Sequence, residues 1–592
     1  MKTYKNLNNL EIAELLRDVA AAYKLKDLPA QAGETKNKFK IIAYERAADA
    51  VEHSSSELKD IWDEGKLEDV PGVGPSIAEH LSELFKTGKS KHFDELLKDL
   101  PPAIFELMKV PGIGPKTAFK MAKSFNITSK GAIKQLVQIA KQGKIAQLAG
   151  FGEDRQAQIL KNVEEYKGPS TRHLLPYAQA IAEDIIEYLS MKSFVKRVDA
   201  LGSLRRKAST IGDIDIAAAS DDSVKTIEYF CDYPKKTSVI EKGERSAAIM
   251  LPGNIHVDLL VHNPKAYGAA LQHFTGSKHH NVKLREYALK KNLSVSDYGI
   301  KKNGKLIQIP TEEKLYNMLG MDFIPPELRE DTGEIEAALK HQLPELVELK
   351  NVKADLQMHS SFDIETSHDI GESTMEELVE KARSLKYEYM AFTEHNPSRS
   401  KHNEKQIVDI LKRKREKVGK LNSVKTGVKA FNSLEIDMMP NGELPVPAEG
   451  LETLDFALVS IHSQFTLSKL EQTKRVLKAL SYPKVKIFAH PSGRKLNARE
   501  GAELDWPKIF EYMLKHNQWV EINCDPMRLD LPDFLVREAV KLGVKLTLGT
   551  DAHHKDGLDN MQFGISVARR GWATDSDIIN CRTLKEFEKL LV

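Results

Sequence analysis

Hydrophobic and polar positions divide the chain into three regimes. Through the first third, helix-like stretches are interrupted by a repeated turn. "VPGVGPSIAEHL" at 70–81 recurs 40 residues later as "VPGIGPKTAFKM" at 110–121, and more loosely as "LAGFGEDRQAQIL" at 148–160. Each copy sets an apolar residue between two glycines, which allows a tight turn and leaves backbone N–H groups open at the start of the next helix. The middle regime opens on a loop and an amphipathic helix in "YKGPSTRHLLPYAQAIAEDIIEYL". Apolar alternation then predicts two strands about a Gly-Ser turn in "VKRVDALGSLRRKASTIGDIDIAAA", and a hairpin in "AAIMLPGNIHVDLLVH". From residue 353 strand-like runs alternate with helix-like ones: "ADLQMH", "YMAFTEH", "FNSLEID", "FALVSIH", "KIFAHP", "WVEINC" and "KLTLGTDAH". Strand followed by helix, about seven times, predicts a (β/α) barrel with its chemistry at the carboxyl ends of the strands.

Composition narrows the classes. A chain of 592 residues exceeds one core, and about three to five domains are expected. With 41% apolar and 29% charged residues it reads as soluble and globular. Lys and Arg number 87 against 85 Asp and Glu, so any nucleic-acid contact must be local. Cys231, Cys524 and Cys581 lie far apart and form no ligand-spaced motif, which suits a reducing compartment. The opening "MKTYKNLNNLEIAELL" lacks a signal-peptide core and no run approaches a membrane span. A cytoplasmic monomer without a membrane partner is therefore expected.

Candidate chemistry follows from the same pattern. Gly72, Gly74, Gly112 and Gly114 frame helix starts that attract phosphate, and Lys116 would add a phosphate contact; a purely structural helical hairpin is the alternative. In "DID" the alternation of a strand brings Asp213 and Asp215 to one face. Their repulsion is relieved by a divalent cation, unless the pair is a solvated strand end. Asp258 on a neighbouring strand completes three carboxylates able to hold two metals, one activating an attacking hydroxyl and one neutralising a triphosphate. The turn at Gly202 and Ser203, with Arg206, offers N–H, hydroxyl and guanidinium donors for phosphates. In the last regime His359, His395, Glu435, His462, His490, Asp551 and His553 fall at strand ends and read as a metal cluster.

These motifs resemble known families. The Gly-x-Gly repeats resemble the helix-hairpin-helix module, which grips a DNA backbone without reading bases. Gly202-Ser203, Asp213-x-Asp215 and Asp258 look like the nucleotidyltransferase palm, and "HFTGSKHHNVKLREYAL" (273–289) resembles the family X DNA polymerase segment between palm and thumb. That resemblance, which covers residues 1 to about 335, implies two Mg2+ ions on the aspartates. It also implies a nucleotide pocket that includes Gly212, Phe274, Thr275, Gly276 and Asn281, with Asn281 and Arg285 at the base-pair minor groove. His273 stands where the family has Tyr, and His80 where vertebrate relatives have the Schiff-base Lys. The strand-end pattern looks like the PHP (polymerase and histidinol phosphatase) domain, a phosphoesterase with up to three metals, here Mn2+ or Zn2+. Its first motif is His-x-His, but this chain reads Gln357-Met358-His359, and the following acid is Asp363 or Asp369, with Asp369 favoured by "SHDIGES".

The resemblance implies a multidomain chain: helical hairpin domains at 1–85 and 86–168, an α+β palm at 169–262, a thumb at 263–335, a linker at 336–352, and a distorted (β/α)7 PHP barrel at 353–592. The function it implies is gap-filling repair synthesis on gapped or primed DNA with deoxynucleoside triphosphates, beside a metal-dependent 3′-5′ exonuclease. The alternatives are a nucleotidyltransferase for RNA ends or small molecules, a DNA-binding scaffold with decayed sites, and an inactive, structural barrel.

Overall fold

The computed structural model describes every residue except 1–6, 8, 27–36, 54–57, 64, 71, 111, 149, 166–171, 367, 425 and 592. Most of the expected loop before His173 falls in 166–171, outside the described residues. No helix among the described residues is long and apolar enough to cross a membrane.

The first helices, among them Asn9–Lys26, Lys38–His53, Pro75–Thr87 and Lys91–Leu97, share one apolar cluster that includes Leu16, Val19, Ala47, Leu81 and Phe93. Helices Ala103–Met108, Pro115–Ser124, Ala132–Lys141 and Glu153–Glu165 share a second, around Ile104, Leu107, Met121 and Leu136. The expected division at 85/86 is therefore corrected. It cuts through the Pro75–Thr87 helix, and Phe93 and Leu96 still pack in the first cluster. The prolines at 101 and 102 stand between the two cores, where a helix is hard to continue.

Next comes a five-stranded sheet in the order Val195–Ala200, Ile214–Ser220, Ile255–His262, Ser246–Leu251, Ser238–Lys242. Ile214–Ser220 runs parallel to Ile255–His262, and the other pairings are antiparallel. Helices Leu175–Ser190 and Ser223–Cys231 contribute Ile185, Leu189, Ile227 and Phe230 to its core. The α+β region continues through helices Tyr267–Thr275, Lys278–Lys290 and Glu312–Leu319 around Leu284, Leu315 and Tyr316. Residues 336–352, expected as a linker, form a packed strap. They begin inside the Glu334–Leu339 helix, bury Leu346 and Val347, and bond Val347 N to Ala573 O at 3.0 Å.

The last regime holds eight strand segments, all paired in parallel. Lys429–Asn432 and Glu435–Asp437 are separated by only Ser433 and Leu434 and behave as one bent strand, which leaves seven positions. A parallel bridge between Met358 and Ala552 closes the ring. Leu356, Tyr389, Phe431, Phe456 and Trp519 fill its amino-terminal end, which Phe587 of the Leu584–Leu591 helix plugs by stacking on Tyr389. The carboxyl-terminal end is left polar.

The barrel is not a loose appendage. One apolar cluster runs from the five-stranded sheet into the barrel, and Trp572 packs with Leu328 and Ile335. Arg570, at the end of Met561–Arg570, donates to Arg206 O (2.8 Å) and to Glu330 Oε1 (3.0 Å).

Candidate active sites

Asp213 stands at the turn before Ile214–Ser220, while Asp215 and Asp258 are paired neighbours on adjacent parallel strands. Parallel pairing in register sends both carboxylates to the same face. Burial, then Asp258, then Asp213 push the Asp215 carboxyl up to about 6. Burial also raises Asp258, although His256 Nδ1 lies 3.0 Å from its Oδ2. His256 was not foreseen, yet it sits two residues before Asp258 on one strand and so on the same face. Asp215 and Asp258, with Asp213 close by, are an oxygen donor set suited to a hard divalent cation.

Gly202 lies directly against this face. Its φ is +55°, and a Cβ there would overlap Asp215 Oδ2, so the backbone of the Gly202–Arg205 helix reaches the carboxylates only because the residue is glycine. Ser203 is half-buried on the same turn, and Gly212 precedes Asp213. Arg206 is not idle: Nη1 donates to Thr275 O (2.5 Å) and Nε to Glu330 (2.9 Å). Arg205, absent from the candidates, donates to the buried Thr275 hydroxyl (2.6 Å) and forks onto Glu312, which Arg329 also grips at 2.6 Å. Two arginine clamps thus hold Thr275 and Gly276 against the Gly202 turn. Asn281, expected at the minor groove, lies in the helix that follows the Thr275 turn. It is buried, accepts from Gln272 Nε2 (2.8 Å) and donates to His273 O (2.6 Å). Phe274 is half-buried, edge-on to His273, and Arg285 is exposed.

The hairpins repeat in geometry as in sequence. Gly72 and Gly112 have φ of +76° and +79°, and the residues after them close matching turns, Val73 N to Val70 O and Ile113 N to Val110 O. Gly74 and Gly114 cap helices that begin with proline, and Lys116 is exposed beside the second. His80 stacks flat on His92 at 4.1 Å, and burial lowers the pKa of both rings.

At the polar end of the barrel, His359, His395, Glu435, His462, His490, Asp551 and His553 all converge. Four overlapping groups have every ligand atom within 4.8 Å: His359 with Glu435 and Asp551; Glu435 with His462 and His490; His359 with His395 and His553; and His368 with His395, Asp437 and His462. Glu435 is the hub, with Oε1 at 2.8 Å from His490 Nε2 and 3.3 Å from His462 Nε2, and Oε2 at 3.3 Å from His359 Nε2. Among the described residues no such group forms in the sheet around Asp215. Asp369 is exposed and joins none of the four, whereas its neighbour His368 does, paired with Asp437. Asp363 accepts from Glu365 N at 3.0 Å. Gln357 is fully buried; its Nε2 donates to Glu435 Oε2 at 2.8 Å and its Oε1 has no partner.

The electrostatics fit a cation. Burial opposes charge on His359, but Asp551 and Glu435 outweigh it and raise the ring to about 10. Burial also opposes charge on Glu435, yet His395, His490 and His359 hold it well below the usual carboxylate range. Burial and then His359 push His553 down to about 4. The His359 ring thus sits between two carboxylates, where the positive charge of an ion would lie. His395 Nδ1, His490 Nδ1, His553 Nε2 and Gln357 Oε1 are buried without partners, and native proteins rarely leave such atoms unsatisfied.

Fold and sites define a nucleotidyltransferase fused to a metal-binding barrel hydrolase. The DNA polymerase beta thumb family matches residues 270–330, a helix-hairpin-helix domain family matches 8–90, and a SAM-like helix-hairpin-helix tandem matches 104–164. The DNA polymerase/3′-5′ exonuclease PolX of Bacillus subtilis (strain 168) is 31% identical over 589 residues, 99% of each chain. DNA polymerase lambda of Rattus norvegicus is 24% identical over 357 residues, 54% of this chain and 56% of the other. A repair DNA polymerase X of African swine fever virus is 28% identical over 148 residues, 24% of this chain and 84% of its own. The chain belongs to the family X DNA polymerases.

Proposed function

We propose that this protein fills short gaps in DNA during repair and trims DNA 3′ ends, using the carboxylate face for synthesis and the barrel for hydrolysis. The observation that carries the first half is the side-by-side register of Asp215 and Asp258 against Gly202. Two Mg2+ ions, when held by Asp213, Asp215 and Asp258, supply the charge that activates the primer hydroxyl and neutralises the triphosphate. Ser203 and the Gly202 backbone orient the phosphates, and the clamped Thr275 turn backs the sugar. The hairpin glycines and Lys116 grip the strand backbones on either side of the gap. In the barrel, His359, Glu435, Asp551, His462, His490, His368, His395, Asp437 and His553 suit up to three Mn2+ or Zn2+ ions, which supply Lewis acidity for phosphodiester hydrolysis. The cysteines are unpaired thiols, which suits the cytoplasm.

The experiment is a pair of variants on gapped DNA. Asp258→Ala should abolish nucleotide incorporation with DNA binding intact, and Asp551→Asn should spare extension and remove 3′-end hydrolysis. Extension by Asp258→Ala above a trace would overturn the two-metal assignment.

A further inference from the structure

Beside the barrel's ligand cluster lies a guanidinium that the protein leaves incompletely paired. Arg528 follows the Trp519–Asn523 strand, and its side chain is 14% exposed. Its Nε stands 3.5 Å from Asp551 Oδ2 and 3.8 Å from Asp525 Oδ2, both beyond a normal hydrogen bond. Nε and Nη1 are buried without an acceptor. Asp551 is already engaged, Oδ1 by His359 Nε2 at 3.1 Å and Oδ2 by Asn523 Nδ2 at 3.2 Å. Idle buried donors on a charged group are costly, so an acceptor from outside the chain is expected.

A second cation lies nearby. The Arg499 guanidinium lies 3.9 Å over the Phe465 ring and donates from Nε and Nη2 to Gly493 O at 3.0 and 2.6 Å. Burial, and then the charge of Arg528, lowers it to about 10. The carboxylate nearby, Asp530, is occupied by Ser492 N, Ser492 Oγ and Gly493 N at 3.0, 2.9 and 2.8 Å. Arg494 Nε donates to Arg528 O at 2.9 Å and fixes its backbone. The unpartnered Nε and Nη1 of Arg528, beside Asp551 of the metal-ligand set, match an oxyanion with several acceptor oxygens.

We propose that Arg528 holds the scissile phosphate of a DNA 3′ end at the barrel centre; this rests on the reading of the barrel as a 3′-5′ phosphodiesterase. In that reaction a water oxygen bonds to phosphorus, losing a proton, and the bond from phosphorus to the O3′ of the preceding nucleotide breaks. Its electron pair leaves on O3′, which takes a proton. The products are a nucleoside 5′-monophosphate and a strand ending in a new 3′-hydroxyl. Arg528 donates to the non-bridging oxygens as their negative charge grows.

The test compares full-length Arg528→Ala and Arg528→Lys with the native protein in 3′ hydrolysis of a single strand, in inhibition by the product dTMP, and in Mn2+ affinity. In Arg528→Ala, kcat/KM should fall on the order of 100-fold and dTMP inhibition weaken about tenfold. Mn2+ affinity should be unchanged, and Arg528→Lys should recover part of both losses. The inhibition constant does not depend on the fraction of protein folded, so poor folding cannot imitate this result. Weakened Mn2+ binding with an unchanged dTMP constant would overturn the proposal and make Arg528 a charge balance for Asp551. If Asp551→Asn abolishes hydrolysis while Arg528→Ala alters neither kinetics nor inhibition, only the Arg528 assignment fails. If Asp551→Asn leaves hydrolysis intact, the barrel reading fails and takes this proposal with it.

Discussion

Gln357→His tests the position where this barrel departs most from its family pattern. The amide now donates to Glu435 Oε2 at 2.8 Å and leaves Oε1 unpartnered in a fully buried site. Losing the bond to a carboxylate costs about 1.5–3 kcal/mol, and removing the stranded acceptor returns about 1–3 kcal/mol, so the exchange is close to neutral for stability. Metal binding should not be neutral. An imidazole there adds a nitrogen ligand to His359, Glu435 and Asp551, where an amide oxygen is weaker toward Mn2+ or Zn2+. Even outer-shell partners are worth about 10- to 100-fold in metal affinity, so at least about tenfold, or 1.4 kcal/mol, is expected. Calorimetric titration with Mn2+, beside 3′-end hydrolysis, reads it. A rise in both supports the reading that the native site is short of one ligand and slow. No change in either, with Asp551→Asn abolishing both, would refute the placement of residue 357 at the metal.

Two further outcomes follow from the clamps around Thr275. Burial raises the Glu312 carboxyl, but Arg329 and Arg205 outweigh it and hold its pKa below normal; such a group adds stability above its unfolded pKa, near 4.5, and loses it as pH falls through the lower folded value. Glu312→Gln should therefore destabilise the protein at pH 7 by about 3–5 kcal/mol, by stranding the buried Arg329 guanidinium and loosening the partly buried Arg205, and make its melting temperature less sensitive to acid. An equally steep acid profile in the variant would count against the clamp. Arg570→Ala should raise KM for the incoming nucleotide in single-nucleotide gap filling by about tenfold, because Arg570 reaches Arg206 O and Glu330. An unchanged KM would show that the barrel does not support the pocket.

Much of this was legible in the sequence, for reasons of geometry. The hairpins could be read because a positive φ admits few residues other than glycine, so a repeated structure imposed a repeated letter at Gly72 and Gly112. The convergence of the barrel's histidines and acids could be read because their positions recur at the carboxyl ends of successive strands. His368 escaped because it sits on an irregular loop, where no period says which of two adjacent residues turns inward. Asp437 could have been found: Glu435-Ile-Asp437 repeats the logic of Asp213-Ile-Asp215, alternate residues of a strand on one face. The division at 85/86 and the supposed linker failed for another reason. Pattern shows where an element is amphipathic, but not which neighbour buries its apolar side, and Phe93, Leu96 and Val347 are settled by tertiary packing.

The two centres are built on opposite electrostatic plans, and that difference bears on how one chain can both extend and shorten a 3′ end. The carboxylate face has excess negative charge: Asp215 and Asp258 are held above their usual range, with His256 Nδ1 3.0 Å from Asp258 Oδ2. Such a site favours a hard cation that brings charge and tolerates oxygen ligands alone. The barrel sets imidazoles beside its carboxylates, with His359 Nε2 3.1 Å from Asp551 Oδ1 and 3.3 Å from Glu435 Oε2, so a cation there meets nitrogen as well as oxygen donors. By donor type the oxygen set suits Mg2+ and the imidazoles of the barrel suit Zn2+, while Mn2+ is compatible with carboxylates in both. The bonds of Arg570 to Arg206 and Glu330 keep the two plans in one rigid frame.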